Sequence, residues 1–321
     1  MRQRISAKGI WEVMKNMSEG FIRDKVTKLS GALAYYTVFS MGPLFIIIIS
    51  LCSLFFKREI IEGKVYNILQ DFLGKDNAGQ LENVINNAAI DGKSTTAVII
   101  GIVFLLIGAT TVFAVIQDAI NGIWGIKPKP KNGIIKILKD RFLSFSIIVS
   151  LGFLLLVSLA ITGIIETLSE NLQLSFPGIN ILIVYIINLV ATLAISTLIF
   201  ATIFKVLPDA QIRWKDVFVG ALVTACLFMA GKFGISTYIA QTNVGSTYGA
   251  AGSLVVLLVW IYYSSIILYL GAEFTKAYAI KYGAEIRPNE YAVTIKKVVE
   301  ETNSGSIQEN SNRMPDVPAH H

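Results

Sequence analysis

Histidine is nearly missing from this chain of 321 residues; the two it has, His320 and His321, are its last two. Cysteine is as scarce, with Cys52 and Cys226 far apart and each inside an apolar run. The usual donors for a zinc or haem site are therefore missing, and the two thiols read as small apolar residues rather than a bridge. Charge is thin as well. Charged residues make up 16% of the chain, against roughly 25% in soluble domains. No Walker A loop, nucleophile elbow or HExxH occurs, which removes a built-in ATPase and the commonest hydrolase signatures. The expectation is a protein that is not an enzyme, with no catalytic residue, no metal and no cofactor.

Apolar residues are what the chain has in quantity. They make up 54% of it and come in long runs rather than short alternations. A membrane-spanning helix needs ~20 mostly apolar residues. Six stretches meet that length: Leu29–Phe56, Thr96–Trp124, Phe142–Leu168, Ile179–Phe204, Val217–Ala240 and Ala250–Ala277. The expected fold is all-α, a polytopic membrane protein of six transmembrane helices.

The basic residues orient it. Residues 1–28 hold seven Lys/Arg and residues 125–141 hold six; Lys205, Arg213 and Lys215 follow the fourth span, and six more run from Lys276 to Arg313. Residues 57–95, on the other side, hold five against six acids. Positive charge marks the cytoplasmic side, so both termini are placed in the cytoplasm, and an even number of spans requires that they share a side. Topology thus accounts for the net charge of +6 without a nucleic-acid partner. The same basic loops would attract anionic lipids at the cytoplasmic face. Trp124 and Trp214 fall at predicted cytoplasmic helix ends, the level that tryptophan favours.

The domain plan follows. Residues 1–28 form a cytoplasmic arm, in which Ile10, Trp11, Met14, Met17 and Phe21 recur at helical spacing. That stripe suits a helix lying on the leaflet or packed on the protein itself. Residues 29–280 form the membrane domain, including an outer helical hairpin over 57–95. Residues 281–321 form a cytoplasmic tail, expected to be disordered from about Asn303, where Ser, Asn, Pro and Gly dominate.

Polar side chains inside the spans are costly and mark where function is to be sought. Asp118 precedes Trp124 by six residues, ~9 Å inside the interface, too deep for a carboxylate to reach water. Gln117 and Asn121 share its helix, and the stripe is expected to face the bundle interior. It either bonds helices together or lines a polar cavity, with Lys205 and Lys232 as candidate partners of Asp118. Lys232 lies 18 residues past Trp214, ~27 Å along the axis; it either snorkels to the outer edge or pairs inward with an acid such as Glu166. Glu273 is expected near the cytoplasmic interface, paired with Lys276 one turn on. Tyr35 and Tyr36 on the first span are further candidate lining residues. Pro43 is expected to kink that span, and Gly249 and Gly252 are candidate hinges.

Four segments together resemble the YihY/virulence factor BrkB family of bacterial inner-membrane proteins. They are Asp24 with Gly31-Ala-Leu-Ala-Tyr35-Tyr36 through Pro43; Gly108-Ala-Thr-Thr through Gln117-Asp118, Asn121 and Trp124-Gly125; Leu207-Pro208-Asp209 with Trp214 and Gly231-Lys232; and Tyr248-Gly249-Ala-Ala-Gly252 with Trp260, Gly271 and Glu273. The resemblance covers roughly residues 15–280 and implies a six-span protein of the bacterial inner membrane. It also implies a role leaning toward transport, including of lipid or envelope components, with no activity firmly attached. An old label for the family, a transfer-RNA processing ribonuclease, fits poorly with a chain that has no internal histidine to serve as a base. Two readings of different class therefore stand at this stage. One is a transporter or lipid-handling protein with an unknown substrate and a polar intramembrane cavity; the other is a membrane scaffold. Nothing in the sequence sets the oligomeric state.

Overall fold

The computed structural model describes residues 6–52, 63, 66–67, 95–129, 181–241 and 252–295. The expected third span, the tail from Asn303 and Gly249 lie outside the described residues, as does the outer hairpin apart from three helical residues.

Six helices are described. They are α1 (Ala7–Arg23), α2 (Val26–Cys52), α3 (Thr95–Trp124), α4 (Ile181–Val206), α5 (Trp214–Gln241) and α6 (Gly252–Tyr282). Helices α2 to α6 run 26 to 31 residues, or roughly 39–46 Å. That exceeds the ~30 Å hydrocarbon core, so their ends reach headgroup level. Among the described residues, three stretches are long and apolar enough to cross a membrane: Ile186–Val206, Trp214–Ile235 and Leu254–Tyr282. The protein is an all-α, multi-pass membrane protein. Helix α2 continues through Pro43 to Cys52 as one helical element.

The helices associate through small residues. Gly220 and Thr224 of α5 face Thr275 and Gly271 of α6 in a crossed arrangement. A Cβ on Gly220 would stand 2.8 Å from Thr275 Cβ, and one on Gly271 would stand 2.9 Å from Thr224 Cβ. Both threonine hydroxyls donate to carbonyls of their own helices at 2.7 Å, so the close approach leaves no hydroxyl unpaired. Close backbone approach is how helices gain dispersion energy where lipid removes the hydrophobic driving force.

The main buried cluster lies at the end of the bundle where α2 begins and α3 finishes. It joins Val26 and Leu33 of α2, Ile116 and Ile120 of α3, Phe204 of α4, Val217 of α5 and Tyr269 of α6. Trp124 belongs to it. The indole is 6% exposed and donates to the carbonyl of Ala272 at 3.1 Å. This corrects the expectation of an interfacial anchor: a buried indole needs an acceptor, and α6 supplies one. Trp214, by contrast, is 51% exposed.

Helix α1 packs across the same end. Ser6 caps it, accepting from the Gly9 N–H at 3.2 Å. Gly9, Val13, Met17 and Gly20 form its buried face, and Val13 and Met17 meet Phe274, Ala277 and Tyr282 of α6. Ile10, Trp11, Met14 and Ile22 remain exposed, Trp11 at 71%. One face of the arm thus packs on the protein, and the other presents apolar side chains outward. The helix ends at Asp24, and Lys25 turns the chain into α2 with φ of 52°, a left-handed conformation costing a non-glycine residue about 1 kcal/mol.

Among the described residues, four short strands appear that the sequence did not announce. They are β1 (Ile126–Pro128), β2 (Ala210–Gln211), β3 (Arg287–Pro288) and β4 (Ala292–Thr294). β1 pairs antiparallel with β4, and β2 with β3. The segment after α6 therefore ties down both the exit of α3 and the link from α4 to α5. Ile295 closes the first ribbon by donating to the Gly125 carbonyl at 2.7 Å, and Gly125 takes φ of 70°, where glycine is unstrained.

Candidate functional site

A cavity of about 360 Å³ opens among five helices. Leu33 and Thr37 come from α2, Val112 and Ile116 from α3, Phe200 and Ile203 from α4, Phe228 from α5, and Leu257, Trp260, Ser264, Ser265 and Leu268 from α6. The wall is aromatic and aliphatic except at Thr37, Ser264 and Ser265. Two of those hydroxyls are taken up locally, Thr37 on the Leu33 carbonyl at 2.7 Å and Ser265 on the Ile261 carbonyl at 2.6 Å. This cavity among the described residues is therefore apolar, where a polar one was expected. The helix faces with Gln117 and Asn121 turn elsewhere.

Gln117 and Asn121 lie one turn apart on α3, both buried, and both donate to Oδ2 of Asp209, at 3.3 and 3.0 Å. The Asp209 N–H returns a bond to Oδ1 of Asn121 at 2.8 Å. Asp209 is itself buried in the link between α4 and α5, and its carbonyl accepts from the Asn289 N–H at 2.9 Å. Three segments distant in sequence thus converge on one carboxylate. Asp118 is exposed. It stands one helical step of ~100° from Gln117, which carries it off the buried face. The carboxylate that Gln117 and Asn121 hold is that of Asp209, not Asp118. Its one sequence signal was an acid after Leu207-Pro208 in an otherwise basic link. Nothing local announced a partner 88 residues away.

Glu273 is 2% exposed and lies under α1. A Cβ on Gly20 would fall within 2.7 Å of its carboxyl carbon, so a side chain at this point of α1 would have to displace the carboxylate. Asp24 and Arg23 close the same spot, Arg23 donating to Asp24 Oδ2 at 3.2 Å. Lys276 was expected to pair with Glu273. Its ammonium does interact with the Glu273 charge, and it also reaches the Ile123 carbonyl and stands 3.9 Å from Asp24 Oδ2. Those acceptors lie on the α3 exit and the α1–α2 joint, so the lysine bridges three helices. Oε1 of Glu273 has no hydrogen-bond partner among the described residues.

The remaining candidates scatter. Tyr35 and Tyr36 are exposed, with rings edge-on at 5.6 Å and Tyr35 against Phe39 at 4.9 Å; neither lines the cavity. Lys232 is partly buried on α5 and lies outside the cavity wall. Gly252 is the first residue of α6. Lys205 donates to the Ile212 carbonyl and sits 5.6 Å from the centre of the Trp214 ring. Among the described residues no group of three or more His, Cys, Asp or Glu is placed to hold a metal ion.

A family model described as virulence factor BrkB matches residues 17–295. The chain belongs to the BrkB family. The BrkB match begins inside α1 and runs to the residue that closes the β1–β4 ribbon, so the strands beyond α6 fall within the shared region. Similar proteins include a UPF0761 membrane protein of Aeromonas salmonicida, 30% identical over 79% of this chain and 84% of its own length. Another, of Aliivibrio salmonicida, is 29% identical over 83% and 82%. A third, of Halorhodospira halophila, is 27% identical over 85% of this chain but only 59% of its own length. No solved structure matches this BrkB-family chain.

Proposed function

We propose that this protein handles a chain-bearing lipid or envelope component in the bacterial inner membrane, holding its apolar part in the cavity between α2 and α6. The observation that carries this reading is the lining of the cavity. Its volume of about 360 Å³ lies in the range of ligand pockets, about 300–1,000 Å³, yet its wall suits hydrocarbon rather than an ion or sugar. The buried polar groups that would serve a polar solute, Gln117 and Asn121, are engaged with Asp209 instead. In this reading the protein moves or presents its ligand without a catalytic step or cofactor.

The topology proposed with it has six spans and both termini in the cytoplasm. Helices α3 and α4 finish at the same end of the bundle, because Asn121 near the end of α3 meets Asp209 just after α4. The chain must change ends between them, and the proposed topology assigns that crossing to Phe142–Leu168, the third span expected from the sequence. The end with Trp214, Lys205 and α1 is placed in the cytoplasm by the excess of Lys/Arg.

The test is translocation of a fluorescent-headgroup phospholipid in proteoliposomes containing the full chain. Faster exchange between leaflets than in empty liposomes, slowed by Ser264→Phe at equal reconstitution, supports lipid handling. Exchange no faster than in empty liposomes, together with no lipid retained on purification, would sink it.

A scaffold reading has one observation of its own. Ile10, Trp11, Met14 and Ile22 form an exposed apolar face on α1, the kind of surface that binds a leaflet or a partner helix.

A further inference from the structure

A second hollow lies at the end of the bundle marked by Trp214. It has a volume of about 860 Å³ and is lined by Lys205, Gln211, Arg213, Trp214, Glu285 and Arg287, among others. The fold fixes its walls. Lys205 lies in the last turn of α4, Gln211 lies in β2, Arg213 directly precedes Trp214 at the start of α5, and Arg287 lies in β3. The antiparallel register sets Gln211 opposite Arg287, so the segment after α6 is held against the link between α4 and α5.

The charge is lopsided. Among the lining side chains three cations face one acid, and that acid is engaged: Oε2 of Glu285 accepts from Nε and Nη2 of Arg287 at 3.2 and 3.1 Å; a second carboxylate, Asp216, is buried behind the wall and accepts from the Ala284 N–H at 3.1 Å. Lys205 is held in place by the Ile212 carbonyl and the Trp214 ring. Arg213 is exposed. A concave site with excess positive charge and guanidinium donors is suited to a phosphate group, which arginine binds in a forked geometry.

An independent feature says where that phosphate comes from. Trp214, Phe218 and Leu222 recur one turn apart on α5 and are all exposed, with the Trp214 and Phe218 rings 5.8 Å apart. This apolar stripe starts at the hollow and runs up the helix. Tryptophan settles at headgroup level, so the stripe above it faces acyl chains while the hollow lies below them.

We infer that Lys205, Arg213 and Arg287 form a binding site for the phosphate of an anionic membrane lipid, whose chain lies along Trp214, Phe218 and Leu222. The site is separate from the intramembrane cavity, so the two readings stand or fall apart.

The experiment is native mass spectrometry of the full chain titrated with phosphatidylglycerol, with phosphatidylcholine of the same chains, and with glycerol 3-phosphate. Wild type should retain phosphatidylglycerol in preference to phosphatidylcholine. Arg213→Gln with Arg287→Gln should weaken phosphatidylglycerol binding roughly 10- to 30-fold, the effect of removing two surface cations, and Arg213→Lys with Arg287→Lys should restore part of it. Both arginines are exposed, and circular dichroism of each variant checks that the fold is kept. Phe218→Ser should weaken the lipid and leave glycerol 3-phosphate unchanged. Equal phosphatidylglycerol retention by wild type and the glutamine variant would overturn the site. Glycerol 3-phosphate bound as tightly as the lipid would overturn the membrane source of the phosphate.

Discussion

Asn121 and Asp209 hold each other through two hydrogen bonds of opposite sense. The Asn121 amide donates to the Asp209 carboxylate at 3.0 Å, and the Asp209 backbone N–H donates to the Asn121 carbonyl oxygen at 2.8 Å. An amide side chain has the donor and acceptor this requires. The pair pins the link between α4 and α5 to the end of α3. Asn121→Ala removes both bonds at a buried site, and should cost about 2 kcal/mol or more. Thermal unfolding in detergent should show a lowered midpoint. Asn121→Asp should do at least as much harm, because it sets two carboxylates face to face.

The glycines divide into two kinds. Gly220→Ala and Gly271→Ala drive a methyl into Thr275 and Thr224, and rotating the threonine does not relieve it, since the Cβ atoms are themselves within 2.8 and 2.9 Å. Each should cost about 1–3 kcal/mol. Gly122→Ala on α3 meets nothing within 4 Å and should stabilise by about 0.5–1 kcal/mol through helix propensity. Unfolding midpoints of the three variants should differ in sign.

Docking of α1 over Glu273 depends on Gly20. Gly20→Leu should lift the helix from α6 and expose Lys15 and Arg23 to trypsin faster than in the wild type. Cleavage at an unchanged rate would show that α1 is held by its other contacts alone.

Docking of α1 should also depend on pH through Glu12. Lys281 donates to its carboxylate, and that hydrogen bond and charge hold the carboxyl below its ordinary value of 4.5. A depressed carboxyl stabilises above its unfolded value and loses that contribution as pH falls through the folded one. The contact should therefore be intact at neutral pH and weaken only below about 4.5. Fluorescence of Trp11 in a variant lacking the other tryptophans should report a change there. Glu12→Gln should remove that step.

Much of the fold was legible because its signals are local. Apolar run length placed α3 within one residue of its observed start and on its observed last residue, and α6 within two residues at its start. The spacing of Ile10, Trp11, Met14 and Met17 announced the arm helix, though not that Met17 turns inward while Trp11 stays exposed. What sequence could not supply were relations between distant segments. Asp209 looked like one acid in a basic link until α3 brought Asn121 to it. Strands of two and three residues carry too little alternation to be read, and exist because the segment after α6 passes beside Gly125 and Ala210. The cavity was expected to be polar because polar residues were counted along one helix. Its wall is set by five helices, and Phe200, Phe228 and Trp260 lie on three of them.

The central claim is that a lipid chain occupies the cavity, and photocrosslinking tests it most directly. The full chain would be purified with a phospholipid carrying a diazirine near its acyl terminus, irradiated, digested and mapped. The account predicts labels on cavity residues of α3 and α6, around Val112 to Ile116 and Leu257 to Ser264, lost in Ser264→Phe. Labels confined to the exposed faces of α4 and α5 and unchanged by Ser264→Phe would contradict it.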